Sequence, residues 1–503
     1  MSTFKRWMIL VIVSSALILI VMDMTILYTA LPNLVYDLGA SASEKLWILN
    51  GYSLVMAGLL PAMGTLGDRL GYRKIFILGL IVFCLASLIA AFSPTPGILV
   101  ASRVLLAVGA SMMMPATLSI IRVTFTEARE LGLALGIWGS VSAGGAGLGP
   151  VLGGLLLERY WWGSAFLVNV PIVLIALALT LIYIPKHNGN KDKKWDLLSS
   201  IQIMIALVTI VYAIKEITRR GGSTILAVIA AIIGIIAFII FIRRQRKLSD
   251  PLIDLSLFKS SPFTVGFITA VMSSFTLIGI QYLITQKLQL VDRLSPLQAG
   301  IFILGMPIAS LITGPIAGMM MHRFNVLHIK ITALLIAAFG IGIYLAHLES
   351  SIAGQMIGLT FIGAGLGATT VTSSHSIMNA APSQKAGMAA SIEEVAFEIG
   401  GASGIAIIGS LSGFIYTLAM KIPNELNVTH KVRDSLDEAL IVSESLPANV
   451  SEILKEAGRN AFNESFFIVV TGVAIFLAVT SIVIYRLGNY SIHTHTKNSK
   501  REV

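Results

Sequence analysis

The first apolar stretch of the chain reads MILVIVSSALILIVMDMTILYTALP, residues 8–32. It is long enough to cross the hydrocarbon core of a bilayer as a single helix, which takes about 20 apolar residues. One acid, Asp23, lies well inside it. A carboxylate at bilayer depth costs roughly 2.5–3.5 kcal/mol on insertion scales, so it needs a reason to be there, most often proton or cation handling. The stretch therefore predicts a membrane helix with a functional acid.

The composition of the whole chain agrees with this first helix. Of 503 residues, 55% are hydrophobic and 12% are charged, whereas soluble domains carry about 25% charged residues. The single cysteine, Cys84, excludes an internal disulfide. The first span has no small-residue cleavage site, so we expect it to be retained rather than removed as a signal peptide. The chain is a polytopic membrane protein.

Fourteen apolar stretches are long enough to span a bilayer. They are predicted at 8–30, 46–66, 75–93, 97–121, 132–155, 164–184, 197–217, 223–242, 262–286, 298–321, 328–347, 352–374, 386–415 and 464–486. An even number of spans puts both termini on one face, and about two thirds of the Lys and Arg residues fall in segments on that face. The termini are therefore expected in the cytoplasm. The net charge of +10 follows from these loops and does not predict a nucleic-acid partner.

The second and tenth spans repeat one pattern. Gly51, Pro61, Gly64 and Arg69 have counterparts at the same spacing, listed in order as Gly305, Pro315, Gly318 and Arg323. The predicted organisation is an N-terminal six-helix half (1–185), a charged inner linker with two inserted helices (186–260), and a C-terminal six-helix half (261–503) with a cytoplasmic tail. The outer loop 416–463 is consistent with a lid and with a solvated spacer.

Three motifs link the chain to a known family. Residues 64–74 read GTLGDRLGYRK, residues 145–154 read GAGLGPVLGG, and residues 23–32 read DMTILYTALP. The first resembles the signature loop of the major facilitator superfamily, the second that of its antiporters, and the third the opening of its fourteen-span drug:proton antiporters. The nearest match is the quaternary-ammonium-compound exporter type. The resemblance implies an all-α fold with a binding cavity between the two halves near mid-membrane, in a bacterial plasma membrane.

The first two motifs also have a physical interpretation. The gate motif comprises Gly64, Asp68, Arg69, Gly71 and Arg73. An acid and a base at the inner membrane edge can cap a helix or pair with a neighbour and so latch the halves, although basic residues there also simply fix topology. The antiporter motif comprises Gly145, Gly149, Pro150, Gly153 and Gly154. Its small residues allow close helix packing and bending.

The candidate residues for proton and cation coupling are Asp23, Glu393, Glu394, Glu398 and Arg103. A buried carboxyl group can hold a proton and release it when a cation arrives, which makes the two occupants mutually exclusive. Glu394 and Glu398 share one helical face, and Glu393 is rotated from it. The resemblance implies that Arg103 takes part in proton transfer or tunes the acid of span one. The alternative is an Arg that snorkels to the outer face.

Aromatic, Met and polar side chains at cavity depth are candidates for contact with a flat cation, although core packing or a place in the interfacial belt is the more common reason for any one of them. The candidates are Trp47, Asn50, Tyr52, Met56, Trp138, Phe275, Tyr282, Met306 and Ser310. Drug exporters of the resembled family commonly carry an acid at the position of Asn50, and some carry one at that of Ser310. The neutral residues here predict monovalent rather than divalent substrates.

The leading hypothesis is thus a proton-coupled antiporter that exports small lipophilic cations such as drugs, dyes and antiseptics. Protons are the coupling ion and no other cofactor is expected; membrane lipids surround a monomer. The alternative within transport is proton-coupled export of a lipid, siderophore or metabolite, which would retain Asp23 without requiring the acids of span thirteen. A membrane-embedded enzyme would need a catalytic constellation, and the scattered histidines and missing Walker loop offer none.

Overall fold

The computed structural model describes residues 2–499 except 187–188, 190–194, 219–222, 249–250, 322, 383–385 and 422–429. For 128–129, 131–133, 135–136, 139–140, 142–144, 386–387, 430–431 and 488–499 it describes the backbone alone. Throughout these residues the secondary structure is helical. Fourteen long helices run in chain order: α1 Thr3–Leu38, α2 Ala42–Leu70, α3 Tyr72–Ala91, α4 Pro96–Thr124, α5 Ala128–Leu157, α6 Ser164–Tyr183, α7 Leu197–Thr218, α8 Thr224–Lys247, α9 Ser261–Gln286, α10 Pro296–Met320, α11 Val326–Ala346, α12 Ile352–Ala380, α13 Ala386–Ala419 and α14 Ala448–Ser499.

Each long helix matches one predicted span, so the fourteen-span all-α architecture is confirmed. Over the described residues, thirteen helices are long and apolar enough to cross a membrane, and α5 contributes the shorter apolar stretch Gly145–Leu157. A single-residue break divides α6 at Val168 and another divides α10 at Leu304. A short π-helix, Lys287–Val291, extends α9, and a loop helix, Leu436–Glu444, precedes α14.

Local sequence signals set where these helices begin and end. Ser41 and Glu44 form a reciprocal capping box at the start of α2, and Ser295 with Gln298 forms another at the start of α10. The tight α2–α3 connection requires Gly71, whose φ of 97° is disfavoured for residues with a side chain. The helices therefore end where the cap and turn residues stand.

The two ends of the bundle are distinct. We call the end with both chain termini the terminal face and the opposite end, which holds the loop helix, the loop face. The halves meet where α2 packs on α13 and where α5 packs on α10. The inserted pair α7–α8 lies beside the first of these seams, since α7 contacts both α2 and α13. The inserted helices therefore border both halves.

The antiporter motif is a packing surface in this fold. Gly149 and Gly153 face α1, where a side chain at either position would collide with Thr25 or Ile26. Gly145 also faces α1 but leaves room for ordinary contact, and Pro150 accepts a 3.5 Å hydrogen bond from Thr29. Because glycines remove the intervening side chains, α5 lies directly on α1 close to Asp23.

Gly154 faces the other half. A side chain there would collide with the backbone of Leu297 at the start of α10. This close approach joins the two halves at the loop face.

Replacing Gly154 with Ala should therefore destabilise the protein, because overpacking a tight helix contact costs about 1–3 kcal/mol. The measurement is the apparent melting temperature of the purified protein in detergent. Gly342→Ala on α11 is the matched control, since nothing lies within 4 Å of a side chain built there. Equal melting temperatures for the two variants would contradict the packing assigned to Gly154.

Candidate functional site

A buried ion pair occupies the interior of the first half. Arg103 of α4 donates from Nη1 to the Asp23 carboxylate of α1, and each residue is 1% exposed. Asn169 of α6 donates to the second Asp23 oxygen at 3.1 Å, and Arg103 Nε donates to the Ile48 carbonyl at 3.3 Å. Since both partners are desolvated, either charge alone would be strongly unfavourable. Asp23 and Arg103 therefore act as one unit, and Arg103 does not reach the membrane surface.

Aromatic rings hold the Arg103 guanidinium on its other side. Its central carbon lies 4.5 Å from the centroid of the Tyr52 ring and 6.0 Å from that of Phe166. The Tyr52 hydroxyl is buried and has no hydrogen-bond partner among the described residues. It lies within electrostatic range of Asp23, Arg103 and Glu398. Tyr52 thus stands between the ion pair of the first half and an acid of the second.

The three α13 acids face different surroundings. Glu393 is 8% exposed and interacts with Ser374 of α12. Glu398 is also 8% exposed; it interacts with Ser53 of α2 and with the Arg103 charge, while its Oε2 atom has no hydrogen-bond partner among the described residues. Glu394 is half-buried and close to both other acids. Arg103 therefore influences acids on both sides of the seam, Asp23 directly and Glu398 through space.

A vestibule of about 690 Å³ lies between the halves toward the terminal face. This volume is within the usual range for small-molecule sites, about 300–1,000 Å³. Its walls are lined by Leu60, Pro61, Gly64, Thr65, Asp68, Tyr72, Met114, Pro115, Leu118, Ser119, Arg122, Trp195, Asp196, Arg244, Leu248, Pro251, Leu252, Asp254, Met388, Ala390, Ser391 and Glu394. Apolar, Met and aromatic surface surrounds a few charges, which is suited to an amphiphilic guest.

Glu394 is the acid in this vestibule that the surrounding protein engages least. Asp68 accepts a hydrogen bond from the Tyr72 hydroxyl, Asp196 pairs with Arg244, and Asp254 caps a 3₁₀ turn through the Ser256 amide. Glu394, by contrast, forms no ion pair with a described basic residue, and its electrostatic neighbours are two further acids. It can therefore supply negative charge to a cation in the vestibule.

The loop face is closed by a second buried ion pair. Lys45 of α2 donates at 2.5 Å to Asp437 of the loop helix and at 2.5 Å to Gln286 of α9, and both charged side chains are 7% exposed. The Tyr282 ring lies 5.9 Å from the Lys45 ammonium. Because Lys45 belongs to the first half and the other groups to the second, this contact joins the halves. This contact holds the loop helix, which belongs to the outer loop, against the bundle.

The gate motif lies at the terminal-face mouth of the vestibule. Two contacts beside it lie within the first half: Tyr72 also interacts with Ser119 of α4, and Arg73 donates to the Leu181 carbonyl of α6 at 2.9 Å. Arg69 is exposed, and the linker residue Gly189 packs against the backbone at Arg69 and Gly71. Gly64 and Asp68 line the vestibule on its α2 side, and Ser391 and Glu394 line it on its α13 side.

The aromatic and polar cavity candidates lie elsewhere. None of them is among the residues that line the vestibule. Trp47 packs on α7 with the Lys215 ammonium 4.5 Å from its ring, and Trp138 donates to Thr117 at 3.2 Å. Met306 and Ser310 pack against α12 at Gly363 and Gly367. Their helical faces are taken up by packing between helices, which periodicity alone does not distinguish from a cavity lining.

The remaining candidates occupy buried positions. Asn50 is fully buried and neither polar atom of its side chain has a hydrogen-bond partner among the described residues. Met56 is fully buried, Phe275 packs on Phe476 at 5.2 Å, and Tyr282 lines a smaller pocket at the loop face. Asn50 is thus a buried polar group near the loop-face end of α2 without a partner among the described residues.

Sequence inspection missed two groups of residues at this site. Trp195 and Asp196 fall in the predicted charged linker and Arg244 in the loop after the span predicted at 223–242, yet all three line the vestibule. The signal in the sequence was an Asp directly before an apolar run, which is typical of a helix N-cap. Lys45 and Asp437 are far apart in the chain, and no sequence pattern pairs them.

Comparison with known proteins identifies a family model and relatives that match most of this chain. A model of the Major Facilitator Superfamily matches residues 13–405. The methyl viologen resistance protein SmvA of Salmonella typhimurium is 39% identical over 463 residues, covering 91% of this chain and 93% of that protein. The multidrug efflux pump LfrA of Mycolicibacterium smegmatis is 36% identical over 462 residues, covering 91% of this chain and 92% of that protein.

Solved structures agree on the fold. A bacterial homologue of the human lysosomal transporter Spinster superimposes with a TM-score of 0.65 at 14% identity, covering 97% of this chain and 98% of that chain. The fold and site define a multi-pass membrane transporter, not an enzyme. The chain belongs to the major facilitator superfamily.

The loop-face closure predicts a specific loss of stability. Asp437→Asn should lower the melting temperature markedly, because removing one partner of a buried ion pair costs about 3–5 kcal/mol. Replacing both charges, in Lys45→Met/Asp437→Leu, should recover most of the loss. Glu452→Gln is the control, since its pair with Arg293 at 3.4 Å is exposed. A double variant as unstable as the single one would contradict the pairing.

Proposed function

We propose that this protein is a proton-coupled antiporter that exports lipophilic cationic drugs, dyes and antiseptics by alternating access. The observation that carries the proposal is Glu394, an acid without a basic partner among the described residues, facing an apolar and aromatic vestibule of about 690 Å³. The names of two relatives, one a multidrug efflux pump and one a methyl viologen resistance protein, support export of such compounds.

Coupling uses the buried groups of both halves. A cation that enters the vestibule is attracted by Glu394 and displaces a proton from the α13 acids, which are too close together to be charged independently. Glu398 is within the field of Arg103, and Arg103 is already paired with Asp23. A change of charge at Glu398 therefore alters how firmly Arg103 is held by Asp23. Proton binding by the acids of the second half therefore changes the ion pair of the first half.

The terminal face is the cytoplasmic face in this proposal. The distribution of Lys and Arg supports that orientation in the plasma membrane. Substrate enters the vestibule from the cytoplasm while the Lys45–Asp437 pair keeps the loop face closed. Export requires that pair to separate and the vestibule to close at the terminal face. The protein works as a monomer among membrane lipids, with protons as its coupling ion.

Proton-driven uptake of ethidium into inside-out vesicles tests the coupling residues. Asp23→Asn and Glu394→Gln should each abolish uptake, the first through loss of the ion pair and the second through loss of the vestibule charge. Uptake is expressed per amount of folded protein in the membrane, because Asp23→Asn removes one partner of a buried ion pair and destabilises the fold, whereas Glu394→Gln removes none. Glu452→Gln, an exposed acid outside the site, should retain full uptake.

Three results of the ethidium assay would each contradict a different part of the proposal. Uptake at an unchanged rate in Asp23→Asn would remove the coupling role given to that residue. Ethidium uptake at the same rate with and without a proton gradient would overturn the antiport mechanism. Absence of cation uptake by the unsubstituted protein would favour export of a lipid, siderophore or metabolite on the same fold.

Substrate valence is a separate test. The neutral Asn50 and Ser310 predict that monocations are exported faster than dications, whereas methyl viologen, the dication in the name of one relative, points the other way. We expect ethidium to be exported at a higher kcat/KM than methyl viologen. Equal values would contradict the monovalent preference and leave cation export itself intact.

A further inference from the structure

The inserted helix pair forms one wall of the vestibule. The first half supplies α2 and α4, the second half supplies α13, and the third wall consists of the terminal-face ends of α7 and α8 with their flanking segments. Trp195 and Asp196 stand directly before α7, and Arg244 and Leu248 stand at the end of α8. The inserted pair is therefore in a position to contact whatever the vestibule holds.

A compact polar network fixes this wall. Arg244 donates to Asp196 from Nη2 at 3.0 Å and from Nε at 3.4 Å, and its Nε also donates to Ser199 at 3.1 Å. Asp196 caps α7 by accepting from the Ser199 amide at 3.2 Å and from its hydroxyl at 2.5 Å. Gln245 donates to the same hydroxyl at 2.7 Å and accepts from the Ile253 amide at 3.2 Å. The network joins both inserted helices to the segment that leads into α9.

The network also sets the charge that a guest meets. Arg244 would repel a cation if it were alone, and Asp196 cancels its charge at contact distance. Partial burial by itself would raise the pKa of Asp196, but hydrogen bonds from Ser199 and Arg244 outweigh this and lower it below its ordinary value. Because the folded-state pKa is lowered, the pairing is complete at neutral pH and is lost only in strong acid.

Trp195 adds an aromatic surface to the same wall. It is half-buried, lines the vestibule and packs on the main core. Aromatic faces attract cations, and Trp does so most strongly.

We propose that the inserted helix pair is part of the binding site for lipophilic aromatic cations, with Trp195 as a stacking face and Asp196 as the residue that masks Arg244. This inference rests on the proposed export function and names the wall that selects its substrate.

The proposal is tested by neutralising the two charges singly and together and measuring ethidium uptake in the inside-out vesicle assay. Asp196→Asn exposes the Arg244 charge and should raise the KM for ethidium on the order of tenfold, with a smaller change in kcat. Arg244→Gln should leave the KM unchanged or lower it. The double variant Asp196→Asn/Arg244→Gln has no net charge at the wall and should return the KM to that of the unsubstituted protein. Added salt should shrink the effect in Asp196→Asn.

A merely structural network predicts the opposite pattern. The double variant would then be as impaired as Asp196→Asn or worse, and salt would not restore it; that result overturns the masking role. For the aromatic part, Trp195→Phe should keep a KM close to the unsubstituted value, whereas Trp195→Leu should raise it several-fold. Equal KM values for these two variants would overturn the stacking role.

The control is the unsubstituted protein itself. If it moves no ethidium, the proposed export function fails. If it moves ethidium and every wall variant has the same KM, the export function stands and the inference about the inserted helices fails. The melting temperature of each variant shows whether folding contributes to the change.

Discussion

Desolvation of charge is the constraint that organises this molecule. Asp23 and Arg103 lie deep in the first half, each 1% exposed, and neither could remain there charged without the other. The ion pair holds α1 against α4, and the hydrogen bond from Asn169 to Asp23 brings α6 into the same contact. The glycines of α5 then allow that helix to lie directly on α1, two residues beyond Asp23 at Thr25. Much of the packing of the first half follows from one buried pair.

The second half meets this pair through its own acids. Glu398 lies within the field of Arg103, and Tyr52 stands between them. A buried carboxyl group without a hydrogen-bond partner on one oxygen is costly, and it is stabilised when it binds a proton or a cation. The seam between α2 and α13 thus joins an ion pair of the first half to three acids that form no ion pair with a described basic residue. The proposed coupling uses this difference, since Asp23 and Arg103 keep their charges while the α13 acids gain or lose a proton.

The two ends of the seam are in different states. At the loop face the Lys45–Asp437 pair and the close contact of Gly154 with Leu297 hold the halves together. At the terminal face the vestibule lies between α2, α4 and α13, and the ends of the inserted helices complete its wall. The ion pair at the loop face joins charges of the two halves, and the one at the terminal face joins the two inserted helices. The proposed alternating access requires the first of these pairs to separate.

The sequence by itself determined the membrane class, the fourteen helices and the family. Apolar runs of bilayer length have few alternatives, and the motifs at 23–32, 64–74 and 145–154 are local patterns. It also identified Asp23 and the α13 acids, because an acid in an apolar run is conspicuous. Only the tertiary structure decided which charges meet: Arg103 with Asp23, Lys45 with Asp437, and Arg244 with Asp196. The structure also shows that Trp47 and Met306 pack between helices, whereas Trp195 lines the vestibule. The reason is that helical periodicity gives the face of a residue, whereas the neighbour across that face depends on how distant helices pack.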